Sequence, residues 1–148
     1  MNTMHVHHLF NRASQIGCAS GVLLLAYGVV TGQQILMALA FVLFLLSAVA
    51  ALFASWATDP IASLLERDAH VPVRFIEAYE EAVFITLVLT LFVGLVSGLW
   101  LFVTQSLDMP LSVAAFTLTL GVFAAVSQAW TAYIVSRIER LVGLPLLH

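Results

Sequence analysis

Residues 13–58 contain no aspartate, glutamate, lysine, arginine or histidine. A helix needs ~20 apolar residues to cross the hydrocarbon of a bilayer, so this run is long enough for two crossings. Inside lipid, only helices and closed barrels satisfy their own backbone hydrogen bonds. Barrel strands alternate apolar and polar residues; this stretch does not, and helices are expected. Thr31-Gly32-Gln33-Gln34 interrupts the run near its middle with a turn-like polar cluster.

The same logic divides the rest of the chain. Spans are predicted at 13–30, 35–57, 82–104 and 111–136, giving an all-α integral membrane protein with four transmembrane helices. They form two helical hairpins, 13–57 and 82–136, joined by a connection over 58–81 and followed by a tail over 137–148. Only 9% of the 148 residues are charged and 62% are hydrophobic. A soluble domain carries about 25% charged residues, so the bilayer itself is the expected solvent. A net charge of −3, with five arginines and no lysine, argues against nucleic acid as a partner.

Those arginines set the orientation. Arg12, Arg67, Arg74, Arg137 and Arg140 all fall on one side of the predicted membrane, which the positive-inside rule makes cytoplasmic. Both termini and the central connection then face the cytoplasm. The all-arginine cation set points to a bacterial inner membrane, and the first span is apolar enough to be retained rather than cleaved. Within the connection, Asp59-Pro60 opens a short helix with Ile61, Leu64 and Leu65 on one face, suited to the headgroup plane. Val71-Pro72 ends it.

Two motifs repeat. Gly17-Cys18-Ala19-Ser20-Gly21 lies in the first span and Gly94-Leu95-Val96-Ser97-Gly98 in the third. Small residues four apart let helix backbones approach closely in lipid, where no hydrophobic effect draws helices together. Gly17, Gly21, Gly94 and Gly98 are therefore packing residues, with Gly17 and Gly21 expected to join subunits and the second pair to hold the hairpins together. Ala50-Ala51 before Trp56 is echoed by Ala124-Ala125 before Trp130. Either a tandem duplication or the small alphabet of membrane segments accounts for the echo.

Residue types that perform chemistry are scarce. No span carries an aspartate, glutamate, lysine, arginine or histidine in its interior, which argues against a proton relay or ion pathway and against a haem held by histidines. The polar side chains available are Gln15, Thr86, Thr90, Thr117, Thr119, Gln128 and Thr131. They are expected to bond helix to helix, with Gln128 the candidate to line a solute path. Arg74, Glu77, Glu80 and Glu81 form an interfacial collar that can dock a basic partner. Without a helical Glu-x-x-His pair they make no metal site, and His70 is cut off from them by Pro72. His5, His7 and His8 sit on what reads as a flexible tip, lacking acidic or thiol partners for a metal. Cys18 reads as a buried, inert thiol. No phosphate loop, zinc pattern or nucleophile motif is present, so neither enzymatic activity nor a cofactor is expected.

The leading expectation is a structural subunit of a larger membrane assembly of the secretion, conjugation or respiratory type, surrounded by lipid and by other subunits or copies of itself. The alternative is a small oligomeric transporter or channel, with threonines of the third and fourth helices and Gln128 lining its pore.

Overall fold

A computed structural model describes residues 3–56, 71–104 and 108–143. It contains helices α1 (Thr3–Thr31), α2 (Gln34–Trp56), α3 (Val73–Leu99) and α4 (Leu111–Val142), with α3 continued by a π-helical segment, Trp100–Thr104. Four helices are long and apolar enough to cross a membrane, over Val6–Thr31, Gln34–Trp56, Val73–Thr104 and Leu111–Leu141. The chain is thus an all-α, multi-pass membrane protein. The interfacial helix expected after Asp59-Pro60 lies outside the described residues, as do Arg67 and His70.

Local sequence explains where the helices stop. At the end of α1, Gly32 takes a left-handed φ of 68°, a conformation that costs other residues about 1–2 kcal/mol. The chain reversal lets the Gln33 N–H reach back to the Gly28 carbonyl at 3.0 Å, the six-to-one bond of a Schellman cap. Gly143 ends α4 in the same conformation (φ 69°), its N–H donating to the Glu139 carbonyl at 2.9 Å. Pro72 and Pro110 precede α3 and α4; lacking an N–H, proline loses nothing at a helix start.

Two expected boundaries move. The histidine tip is not a tail, because α1 begins at Thr3 and runs unbroken through it. Helix α4 likewise continues past residue 136, through Arg137 and Arg140, to Val142.

The helices pack in a ring, α1 against α2 and α4, and α3 against the same two. Contacts along each seam run in opposite chain directions. Gly17 meets Ser47, Gly21 meets Phe44 and Gly28 meets Met37 between α1 and α2, while Gly94 meets Ala48 and Gly98 meets Leu45 between α3 and α2. Between α1 and α4, Ser14 pairs with Gln128 and Cys18 with Gly121. All four neighbouring pairs are antiparallel, so Arg12, Arg74, Arg137 and Arg140 gather at one end of the bundle.

Inward positions recur at alternating steps of four and three: Ser14, Cys18, Gly21, Leu25 and Gly28 on α1, and Ala114, Thr117, Gly121, Ala124 and Gln128 on α4. That is the seam of knobs-into-holes packing. Leu23, Val30, Phe84, Phe102 and Val126 point outward and are exposed, as lipid-facing side chains should be.

One side chain sits where the four helices meet. Phe44 is fully buried. A Cβ built on Gly21 of α1 or Gly121 of α4 would come within 2.8 Å of its ring, and one on Gly94 of α3 would lie 3.3 Å from its backbone carbonyl. Three helices each present a glycine so that one phenylalanine fits between them.

This corrects the assignment of Gly17 and Gly21 to a contact between subunits. Both face α2 of the same chain, where a Cβ would strike Ser47 Oγ or the Phe44 ring. Close packing explains both glycine motifs, but it is packing within the subunit.

Leucine at Gly21, Gly94 or Gly121 is expected to lower the unfolding free energy in detergent by roughly 1–3 kcal/mol or more, the usual cost of overpacking. Assembled mass should not fall selectively. Thermal unfolding followed by size-exclusion chromatography reads both quantities.

Candidate functional site

Helix α1 begins early enough to place His7, His8, Asn11, Arg12, Ser14 and Gln15 inside the arginine end of the bundle, and these line a cavity of about 470 Å³. Ala51, Ala54 and Ser55 of α2 complete one wall; Tyr79, Thr86 and Thr90 of α3 and Gln128 and Thr131 of α4 form the other. All four helices contribute. Arg12 and Ser55 are exposed at the mouth, whereas Ser14, Thr90 and Gln128 are buried at the floor.

The floor is a hydrogen-bonded junction of three helices. Gln128 Nε2 donates to Thr90 Oγ1 at 3.2 Å and to Ser14 Oγ at 3.5 Å. Thr90 in turn donates to the Thr86 carbonyl of its own helix at 2.8 Å. One turn nearer the mouth, the Thr131 hydroxyl donates to the Ser127 carbonyl at 3.0 Å, and the Thr86 hydroxyl pairs with Thr131 Oγ1 at 2.9 Å. Buried polar groups in an apolar medium need such partners.

At the rim, His7 Nδ1 lies 2.9 Å from the Ala54 carbonyl. A carbonyl only accepts, so Nδ1 carries the proton. The bond ties the first turns of α1 to the last turn of α2 and leaves Nε2 as the other polar atom of the ring.

Several expected residues meet here. Gln15, Thr86, Thr90, Gln128 and Thr131 line the cavity together. Thr117 is buried on the inward face of α4 further along, and Thr119 is exposed, donating to the Ala115 carbonyl at 2.9 Å. Arg74, Glu77, Glu80 and Glu81 are exposed in the first turns of α3, outside the cavity, with the Arg74 guanidinium 5.3 Å from the Phe75 ring centre. Ser14, Asn11 and the histidines were missed as lining residues. Their signal was present: His7, Asn11, Ser14 and Cys18 follow the same four-three spacing as the inward face of α1, once the helix is allowed to start before Arg12.

The cavity ends where the solid core begins. Cys18 is fully buried just past the floor, its thiol 3.8 Å from the Gly121 carbonyl. Beyond it Leu25, Met37, Phe41, Phe44, Val93 and Met109 fill the axis of the bundle. At the far end the Met109 N–H donates to Gln34 Oε1 at 2.9 Å, holding the start of α2 beside the segment before α4.

Replacing Gln128 with leucine removes both donor bonds at the floor, and should cost about 1 kcal/mol of stability in detergent, the usual scale for interhelical bonds in membranes. Valine at the lipid-facing Thr119 should change stability by less than about half of that. Chemical unfolding of the two variants side by side makes the comparison. No family model, curated protein or solved structure matches the chain, so its site is read on its own chemistry.

Proposed function

We propose that the protein is a non-enzymatic membrane protein that admits a small, neutral, hydrogen-bonding solute into the bundle from the cytoplasm, as a small transporter or channel. The observation that carries this reading is the cavity itself, built by all four helices, largely apolar in its walls but with an amide and hydroxyls at its floor. A bundle that served only as a scaffold would gain stability by filling that space. The floor groups Ser14, Thr90 and Gln128 are uncharged hydrogen-bonding groups, which suit a neutral polar molecule and supply no charge to offset the cost of bringing an ion out of water. We further place the arginine end, and with it both termini and the cavity mouth, at the cytoplasmic side of a bacterial inner membrane.

A second reading has its own support. Arg74, Glu77, Glu80 and Glu81 stand exposed on successive turns at the arginine end. Such a collar suits a structural subunit that docks a basic partner within a larger assembly, or further copies of the chain through the outward aromatic faces. The two hairpins of that reading, and their origin by duplication, rest on the Trp56 and Trp130 echo and on the short Gly32-Gln33 turn between α1 and α2.

Purified protein in liposomes separates the two. Flux of a neutral solute such as glycerol or urea, reduced several-fold by Gln128→Leu, is expected from the transporter reading. No flux, together with loss of a co-purifying protein when Glu77, Glu80 and Glu81 become glutamine, is the outcome for the structural subunit. For orientation, a reporter active only outside the cytoplasm should work at Gln33 and fail at His148; the reverse result would invert the assignment.

A further inference from the structure

Hydroxyls on the inward faces of α3 and α4 do not end at the cavity floor. Ser97 lies two turns beyond Thr90 on the same face of α3, and Thr117 lies three turns before Gln128 on the same face of α4. Both are fully buried. Neither Ser97 Oγ nor Thr117 Oγ1 has a hydrogen-bond partner, and Trp100 Nε1, one turn past Ser97, lacks one too.

The contrast with neighbouring hydroxyls is sharp. Ser47, Thr90, Ser127 and Thr131 all donate to a carbonyl of their own helix, at 2.8 to 3.0 Å. That local bond is the ordinary refuge of a serine or threonine in apolar surroundings. Ser97 and Thr117 forgo it, which leaves donors and acceptors available deep in the bundle.

The level of Phe44 lies between these groups and the cavity. Its ring packs against Gly121, one turn from Thr117 and two from Gln128. Its carbonyl lies beside Gly94, one turn from Thr90 on one side and from Ser97 on the other. Along an axis on which Thr117 and Gln128 are about 16 Å apart by helix rise, the ring stands between two polar levels.

We propose that Ser97 and Thr117 form a second, inner station for the neutral solute, and that the Phe44 ring is the barrier between this station and the cavity. The proposal rests on reading the cavity as a solute site. A solute leaving Gln128 and Thr90 would pass the tightly packed level of Cys18, Val93 and the Phe44 ring before meeting hydroxyls not committed to other bonds. Neither the Gln128–Thr90 floor nor the Ser97–Thr117 level carries a charged side chain to offset the cost of bringing an ion out of water. Past the inner station, Leu25, Met37, Phe41 and Met109 close the far end, so passage across the whole membrane also requires that seal to open.

Cysteine accessibility tests this directly, because it reads entry to each level without requiring full passage. In a Cys18→Ala background, single cysteines are placed at Thr131 in the cavity and at Ser97 or Thr117 in the inner station. Methyl methanethiosulfonate, small and neutral, is added to the folded protein in detergent and the labelled mass is followed with time. Thr131→Cys should react readily. Ser97→Cys and Thr117→Cys should react slowly beside Phe44, and at least tenfold faster when Phe44→Ala is added. A negatively charged methanethiosulfonate should label only Thr131→Cys.

Phe44→Leu, which keeps a large apolar side chain, serves if Phe44→Ala does not yield a monodisperse protein; it should give a smaller acceleration in the same direction. The barrier is overturned if the inner cysteines react equally fast with and without Phe44. The station is overturned if they stay unlabelled in both Phe44 variants while Thr131→Cys reacts. Failure of Thr131→Cys itself to react would instead sink the cavity reading on which the proposal stands.

Discussion

The bundle depends on how closely its backbones approach around Phe44. Lipid tails are as apolar as leucine, so burying apolar surface between helices gains nothing over leaving it in the membrane. Association must come from dispersion contacts and hydrogen bonds made at short range. Glycines supply the short range. Gly17 and Gly21 bring α1 onto α2, Gly94 and Gly98 bring α3 onto α2, and Gly121 gives α4 its place beside the same phenylalanine. Helix α2 thus carries α1 and α3 directly and reaches α4 across the axis through the ring of Phe44, which small residues of all three surround.

That arrangement also determines where polarity can survive. In the half of the bundle beyond Phe44 the core is filled by Leu25, Met37, Phe41 and Met109. In the half toward the arginines, α1 turns Ser14, Asn11 and His7 toward the axis, and these are too small or too polar to close it. The space left is lined by groups that must be hydrogen-bonded. Gln128 meets that need by joining α4 to α1 and α3 at once, and His7 joins α1 to α2. The residues that hold the helices together at this end are therefore the same residues that face the cavity. Helix-joining and cavity-lining roles thus fall on the same side chains.

Much of the fold is legible in the sequence. Uncharged runs mark the spans, Gly32 and the prolines mark breaks, and the threonines with Gln128 stand out as the polar groups within the spans. What escaped notice was the part of α1 before residue 13. Histidines, asparagine and arginine there look like a solvated tail when polarity is the criterion. Only their spacing, continuous with that of Ser14, Cys18 and Gly21, places them on an inward face. The partner of the Gly17 and Gly21 motif was likewise beyond reach, because a small-residue groove accepts any helix of suitable shape and carries no address.

The sequence by itself determined that the chain lives in a membrane, that its elements are helices, and roughly where each begins and ends. Those properties depend on composition and on local backbone chemistry, which a single strand of text records. Tertiary structure decided which face of each helix looks inward. In water, an apolar stripe announces the buried face; in lipid both faces are apolar and the stripe disappears. The inward faces are marked by small and hydroxyl-bearing residues such as Gly21, Ser14, Thr90 and Gly121. Their meaning appears only when four helices are brought together and the space between them is seen to hold Phe44 and a cavity with a polar floor.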